Sequence, residues 1–267
     1  MKRIEFMDAP FDAVNMEESV QRILDWTSHT RNSRTIITLN AGLLIGMKQN
    51  PALRKACLRG DLILADGKPV VLASHLLGNP ISNRVAGVDL MINTLAAGSQ
   101  QGLRVYFLGA RQSVLDKLHE VVAKRFPGIE IVGSRNGYFS EAEHADIIAD
   151  INASGAQILY IGMPSPFKET WGEKHRHELK VPVIFGVGGS FDVLAGEIKR
   201  APVWLQELCL EWAWRLAMEP RKMWKRYLVT NTAFLIELTR LLVTRRPAQT
   251  TPGDKLKPDA TTLPSRH

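Results

Sequence analysis

Four short polar or glycine-bearing segments each follow an apolar run in this 267-residue chain: Thr38-Leu39-Asn40, Ala65-Asp66-Gly67, Gly162-Met163-Pro164, and the loop from Gly186 to Asp192. Asp66 stands between an apolar run and a glycine, where partial desolvation raises a carboxyl pKa and suits a general base acting on a hydroxyl. An aspartate at a strand-to-helix turn is also a common N-cap, and the residues alone leave both roles open. The loop Gly186-Val187-Gly188-Gly189-Ser190-Phe191-Asp192 can turn backbone N–H groups toward phosphate oxygens, with Asp192 accepting from a ribose or a base edge. Glycines that merely serve a tight turn are the plain alternative.

Several familiar chemistries are excluded by what surrounds these residues. Phe191 stands where a dinucleotide fingerprint needs its final glycine, and no G-K-[ST] follows to make a P-loop. No two aspartates are spaced as D-x-D, so a bound diphosphate must be neutralised by Lys and Arg, and no metal or other cofactor is expected. Candidates are Arg84, Lys199, Arg200, Arg215, Arg221, Lys222, Lys225 and Arg226. His175 and His177 are two apart on a predicted helix and point to different faces, so they read as surface residues and not as metal ligands. Cys57 and Cys209 form no C-x-x-C pair, which argues against a disulfide framework or zinc site and fits a reducing cytoplasm.

The elements that must position these residues alternate regularly. Strands are predicted at Thr35–Thr38, Leu62–Ala65, Val105–Leu108, Ile129–Val132, Ile158–Ile161 and Val183–Phe185. Helices are predicted at 16–29, 41–58, 68–77, 87–101, 112–126, 141–153 and 167–178, a βα alternation that specifies an α/β fold with a mostly parallel sheet flanked by helices. In such sheets ligands bind beyond the carboxyl ends of the strands, where all four segments above would converge. After Ala201 the pattern changes to two helices, about 203–218 and 221–243, separated at Glu219-Pro220. The expected organisation is a Rossmann-like domain over 1–200, a helical appendage over 201–246 and a disordered tail over 247–267.

Charge sharpens this division. Residues 1–198 carry 21 Lys+Arg against 21 Asp+Glu, whereas residues 199–246 carry 10 against 4. Four of the six tryptophans, Trp204, Trp212, Trp214 and Trp224, fall in that basic segment. Interfacial indoles on a basic surface suit an anionic bilayer, and the plain alternative is a packed helix pair with solvated charges. The N-terminal MKRIEFMDAPFDAV has no apolar stretch, so no leader or span is expected there, and no nucleic-acid recognition motif accompanies the basic helices.

Taken in order, TLNAGLL (38–44), LILADGKPVV (62–71), RVAGVDLM (84–91), YFLGA (106–110), GYFS (137–140), GMPSPFKETW (162–171), GVGGSFDVLAGEIKRAP (186–202) and LEWAWRLAMEPRK (210–222) resemble the WecG/TagA/CpsF glycosyltransferases over about residues 5–245. The resemblance implies an inverting transferase that moves a sugar, often N-acetylmannosamine or a uronic acid, from a UDP-sugar to a polyprenyl-diphosphate-linked saccharide for cell-surface polymers. It implies a Rossmann-like core with a C-terminal membrane-docking appendage, peripheral on the inner face of the cell membrane. It makes Thr38 an active-site threonine and Asp66 the catalytic base. Asn40, Arg84, Gly188, Gly189, Ser190 and Asp192 become donor-pocket residues and Arg215 an appendage arginine that reaches the active site, with Arg221 a further candidate to cover the diphosphate. An appendage of this kind is expected to assemble fully only at the bilayer. A homo-oligomer is compatible with the sequence.

One position departs from the family pattern. Where P-x-Q-E-x-W is usual, this chain has Pro166-Phe167-Lys168-Glu169-Thr170-Trp171. Lys168 either points into the donor site, where its ammonium would pair with a uronate such as glucuronic acid, or it faces solvent. The rival from another class is a noncatalytic nucleotide-binding module that docks on membranes.

Overall fold

The computed structural model describes residues 2–29 and 32–244. It opens with an antiparallel hairpin, β1 (Arg3–Phe6) and β2 (Ala9–Asp12), turned by Met7 and Asp8 at φ 49° and 59°. Then follow α1 (Met16–His29), β3 (Arg34–Leu39), α2 (Ala41–Gln49), α3 (Pro51–Leu58), β4 (Leu62–Ala65), α4 (Lys68–Leu76) and α5 (Gly87–Gly98). The second half holds β5 (Arg104–Gly109), α6 (Gln112–Arg125), β6 (Glu130–Arg135), α7 (His144–Ser154), β7 (Ile158–Gly162), α8 (Phe167–His175), β8 (Val183–Gly186) and a short α9 (Ser190–Leu194). Three helices end the described chain: α10 (Val203–Glu207), α11 (Glu211–Met218) and α12 (Pro220–Thr244).

The six strands β3 to β8 form one sheet in the order β4-β3-β8-β7-β5-β6, every neighbouring pair parallel. Their carboxyl ends therefore share one rim, as the βα alternation requires. The central strands are buried on both faces, which is why they read as apolar runs without alternation. One core layer packs Ile23, Leu90, Phe107, Tyr160 and Phe185 under α1, α5 and α6, and the opposite face is covered by α2, α3, α7 and α8.

The elements differ from the sequence expectation in places with clear causes. The helix predicted over 41–58 is two helices, because Asn50 precedes Pro51 and stays extended at φ −129°, ψ 102°. Its side chain then caps α3 by accepting from Leu53 N at 3.0 Å. The helix predicted over 203–218 breaks at Cys209, which sits at φ 63°. On the edge of the sheet, β6 runs three residues past its predicted end, into polar Ser134 and Arg135, where half-exposed positions weaken the apolar signal. His175 is buried against Trp171 and His144, not on the surface, because the α8 face that carries it packs into the sheet-side aromatic cluster. The tail over 247–267 lies outside the described residues.

The unpredicted hairpin seals the other sheet edge. Asp12 is buried; its Oδ2 accepts from Ile63 N on β4 at 2.8 Å and its Oδ1 from Arg3 Nε at 2.9 Å. Replacing Asp12 by Ala would strand a buried N–H and uncouple the hairpin, so a loss of about 1.5–3 kcal/mol is expected in urea unfolding.

On α12 the apolar residues divide into two stripes, although helical spacing puts Trp224, Tyr227, Leu228, Phe234, Leu235, Leu238, Leu241 and Leu242 near one face. Phe234, with Ala233, Leu238 and Leu241, packs on the core beside α2, and Lys48 on α2 pairs with Glu237. Trp224, Leu228, Leu235 and Leu242, with Val229, Ile236 and Val243, remain exposed. A one-residue offset rotates a helix position by about 100°, enough to separate residues that helical spacing groups loosely together. Among the described residues, no helix is long and apolar enough to cross a membrane.

Candidate active site

The rim holds a cleft of about 310 Å³ whose floor is the ends of β3, β4 and β8 and whose roof is α11 and α12. Thr38 closes β3 and is buried; Asp66 follows β4. Both converge on Gly87 at the start of α5. A Cβ there would lie 3.1 Å from Thr38 Oγ1 and 3.7 Å from Asp66 Oδ2, so a glycine is what lets α5 come this close. Asp66 does not cap the helix that follows it: the cap position of α4 is Gly67, with no side-chain bond. Instead, Asp66 Oδ1 accepts from Gly87 N at 3.1 Å and leaves Oδ2 for the cleft.

The Asp66 carboxyl is pushed up to about 7, first by burial and then by the nearby Glu211 carboxylate. The Gly87 N–H and the cations Arg84 and Lys168 pull it partly back. A base with a pKa near the working pH is well matched to removing a hydroxyl proton.

The glycine loop differs in detail from an open anion nest. Val187 N and Gly188 N both donate to Ile161 O, at 3.0 and 3.1 Å, and Ser190 N donates to Val187 O. Ser190 Oγ is likewise spent on Val187 O at 2.8 Å, and Gly188 takes φ 56° to make the turn. These groups hold the loop's shape and are not turned toward an anion. Arg215 on α11 lies directly on the loop: a Cβ on Gly189 would sit 2.5 Å from its Nη2.

The remaining candidates separate into those the cleft gathers and those it does not. Asn40 lines the cleft, but its Oδ1 also caps α2 by accepting from Leu43 N at 3.0 Å. Arg84 lines it too, with Nη2 2.8 Å from Glu211 Oε2 and Nη1 3.3 Å from Gln206 Oε1. Arg200 binds Asp89 through both terminal nitrogens and Gln206 through Nη2. Arg84 and Arg200 thus already spend charge tying α10 and α11 to the start of α5. Lys168 lines the cleft and is not solvent-facing; its ammonium pairs with Glu169. Asp192 lies half-buried on α9, off the cleft wall, and Arg221 is exposed on α12, also outside it; Arg226 and Tyr227, one turn further along, line it instead. The sequence reading overlooked Gln206, which stands in no motif, and gave Glu169 and Glu211 no role although both fall within the family segments 162–171 and 210–222.

The sequence profile described as glycosyl transferase WecG/TagA/CpsF family matches residues 4–248. The chain is 39% identical over 194 residues to the N-acetylglucosaminyldiphosphoundecaprenol N-acetyl-beta-D-mannosaminyltransferase of Bacillus spizizenii, covering 72% of this chain and 74% of that protein. To the protein of the same name from Staphylococcus aureus strain MW2 it is 29% identical over 225 residues, 84% of this chain and 86% of that one.

Proposed function

The chain belongs to the WecG/TagA/CpsF glycosyltransferase family, and from that premise we propose that it transfers N-acetylmannosamine from its UDP derivative to a lipid-linked N-acetylglucosaminyl diphosphate. The transferred sugar and the acceptor follow the names of the relatives, and the UDP activation follows the family resemblance. The observation that carries the chemistry is the pairing, in one cleft, of a carboxylate with its pKa near 7 and an arginine lying on a glycine loop.

Asp66 Oδ2 takes the acceptor hydroxyl proton as that oxygen attacks the anomeric carbon. The bond from that carbon to the UDP oxygen breaks on the opposite face, its electron pair leaves with UDP, and the configuration inverts. Arg215 offsets the charge growing on the departing diphosphate, with Arg226 beside it, while Thr38 and Asn40 orient sugar hydroxyls. The roof made by α11 and α12 excludes water that would otherwise hydrolyse the donor.

The same helices supply the means to meet a lipid-linked acceptor. We assign α10–α12 to docking on the inner membrane face: Trp204, Leu208, Trp224, Leu228 and Leu235 are exposed, and Lys225 and Arg226 accompany them. UDP release measured over a panel of UDP-sugars with a membrane extract tests this reading. Release is expected with UDP-N-acetylmannosamine and only when the lipid acceptor is present; nucleotide binding with no release from any donor would overturn it.

A further inference from the structure

Behind the cleft wall lies an ion pair that the transfer chemistry above does not use. Lys168 leaves the first turn of α8 and runs along the carboxyl end of β8. A Cβ on Gly186 would lie 3.2 Å from its Cγ and Cδ and 3.4 Å from its Nζ, and one on Gly188 would lie 3.5 Å from its Cε. A side chain at Gly186 would crowd the lysine, whereas one at Gly188 would only touch it. Its ammonium pairs with Glu169 Oε1, which also accepts from Ser165 Oγ at 2.9 Å. The two side chains are 10% and 1% exposed, so Glu169 has no water as an alternative partner and Lys168 meets water only through the cleft. Lys168 lines the cleft, whereas Glu169 stands behind it, lining only a small cavity beneath.

This arrangement bears on the donor sugar. A hexose held between Asp66 and Thr38 at one side and a diphosphate at Gly189 would share the cleft with Gly186, Gly188 and the Lys168 that lies against them. We propose that Glu169, by holding the charge of Lys168, makes this wall electrically neutral and so selects a donor whose hexose carries no carboxylate. A uronate would have to take the ammonium from Glu169 and leave that carboxylate buried and unpaired, or bring a second anion up to it. The inference rests on the UDP-sugar transfer proposed above and extends it to the residues that choose the sugar.

The test compares kcat/KM for UDP-N-acetylmannosamine and for its C6 uronate in the wild type, Glu169→Gln and Lys168→Gln. Glu169→Gln keeps the size of the side chain and an acceptor for Ser165 while freeing the ammonium. The wild type is expected to favour the neutral donor by about 100-fold or more. Glu169→Gln should cut that ratio at least tenfold, and Lys168→Gln, which uncovers the carboxylate, should raise it. Opposite shifts from neighbouring residues are not what a merely structural pair would give. A wild type that favours the uronate, a folded Glu169→Gln with an unchanged ratio, or a Lys168→Gln ratio that fails to rise would each overturn the inference. Should Glu169→Gln fail to fold, the wild-type and Lys168→Gln ratios still decide it. UDP release by the wild type from neither donor would instead sink the transfer reading itself.

Discussion

Asp66→Asn is expected to lower turnover by about 10²–10⁴-fold while leaving the protein more stable above pH 7 than the wild type. The amide keeps an oxygen for the Gly87 N–H and fits the same space, so the loss reports the missing base and not a rearranged cleft. The pH profile carries the same information. With the Asp66 carboxyl near 7, kcat/KM should rise through that pH as the base ionises and flatten above it. Glu211→Gln removes the second-largest cause of the upward shift and should move this limb to lower pH.

The stability half of the prediction follows from the sign of the shift. A carboxyl whose folded-state pKa is raised makes ionisation costly to the fold, so its contribution is fully present below the ordinary pKa and is lost as pH rises through about 7. Ionising this carboxyl within the fold costs at most about 4 kcal/mol, and water in the open cleft reduces that, so a gain of about 1–3 kcal/mol for Asp66→Asn at pH 8 is expected. Urea unfolding of both proteins at pH 4 and pH 8 would test this, because the gain should vanish at the lower pH. An Asp66→Asn protein with full transferase activity would remove Asp66 as the base.

Much of this site was readable from the residues because strand ends in a parallel sheet are readable. Buried strands are apolar runs, so the first polar residue after each run marks the rim, and this located Thr38, Asp66 and the glycine loop without knowledge of strand order. The same logic could not say which way a side chain turns once past the rim. Asp66 accepts from the start of α5, twenty-one residues away, and not from the helix it precedes, because strand order and the approach of Gly87 decide its partner. Lys168 was ambiguous for a similar reason: a lysine at the start of a helix is ordinarily solvated, and the close approach to Gly186 at the end of β8 lets it lie indoors. The arginines were the least legible. Ten cations in one segment look alike in sequence, and the acids that occupy Arg84 and Arg200 come from elements far apart along the chain.

That sorting of the arginines sets the second large effect. Arg84 and Arg200 are held by Glu211 and Asp89, whereas Arg215 lies on Gly189 with its ion-pair partner Glu219 at 3.9 Å. Charge that develops on a leaving diphosphate is best met by a cation already in position and not committed to a close carboxylate. Arg215→Ala should therefore reduce kcat by about 10²–10³-fold with a smaller change in KM for the UDP-sugar, since the charge it answers grows mainly in the transition state. Arg215→Lys restores charge without the planar fork and should recover only part of the loss. Lipid separates this role from membrane docking. The resemblance implies an appendage that assembles fully only at the bilayer. Here, however, α12 is already packed on α2 and Arg215 already on the loop, so anionic vesicles should raise activity toward a lipid-linked acceptor but not toward a water-soluble one. Activity on a soluble acceptor that appears only when vesicles are added would mean instead that the bilayer assembles the site, and that the cleft is closed by the surface it works on.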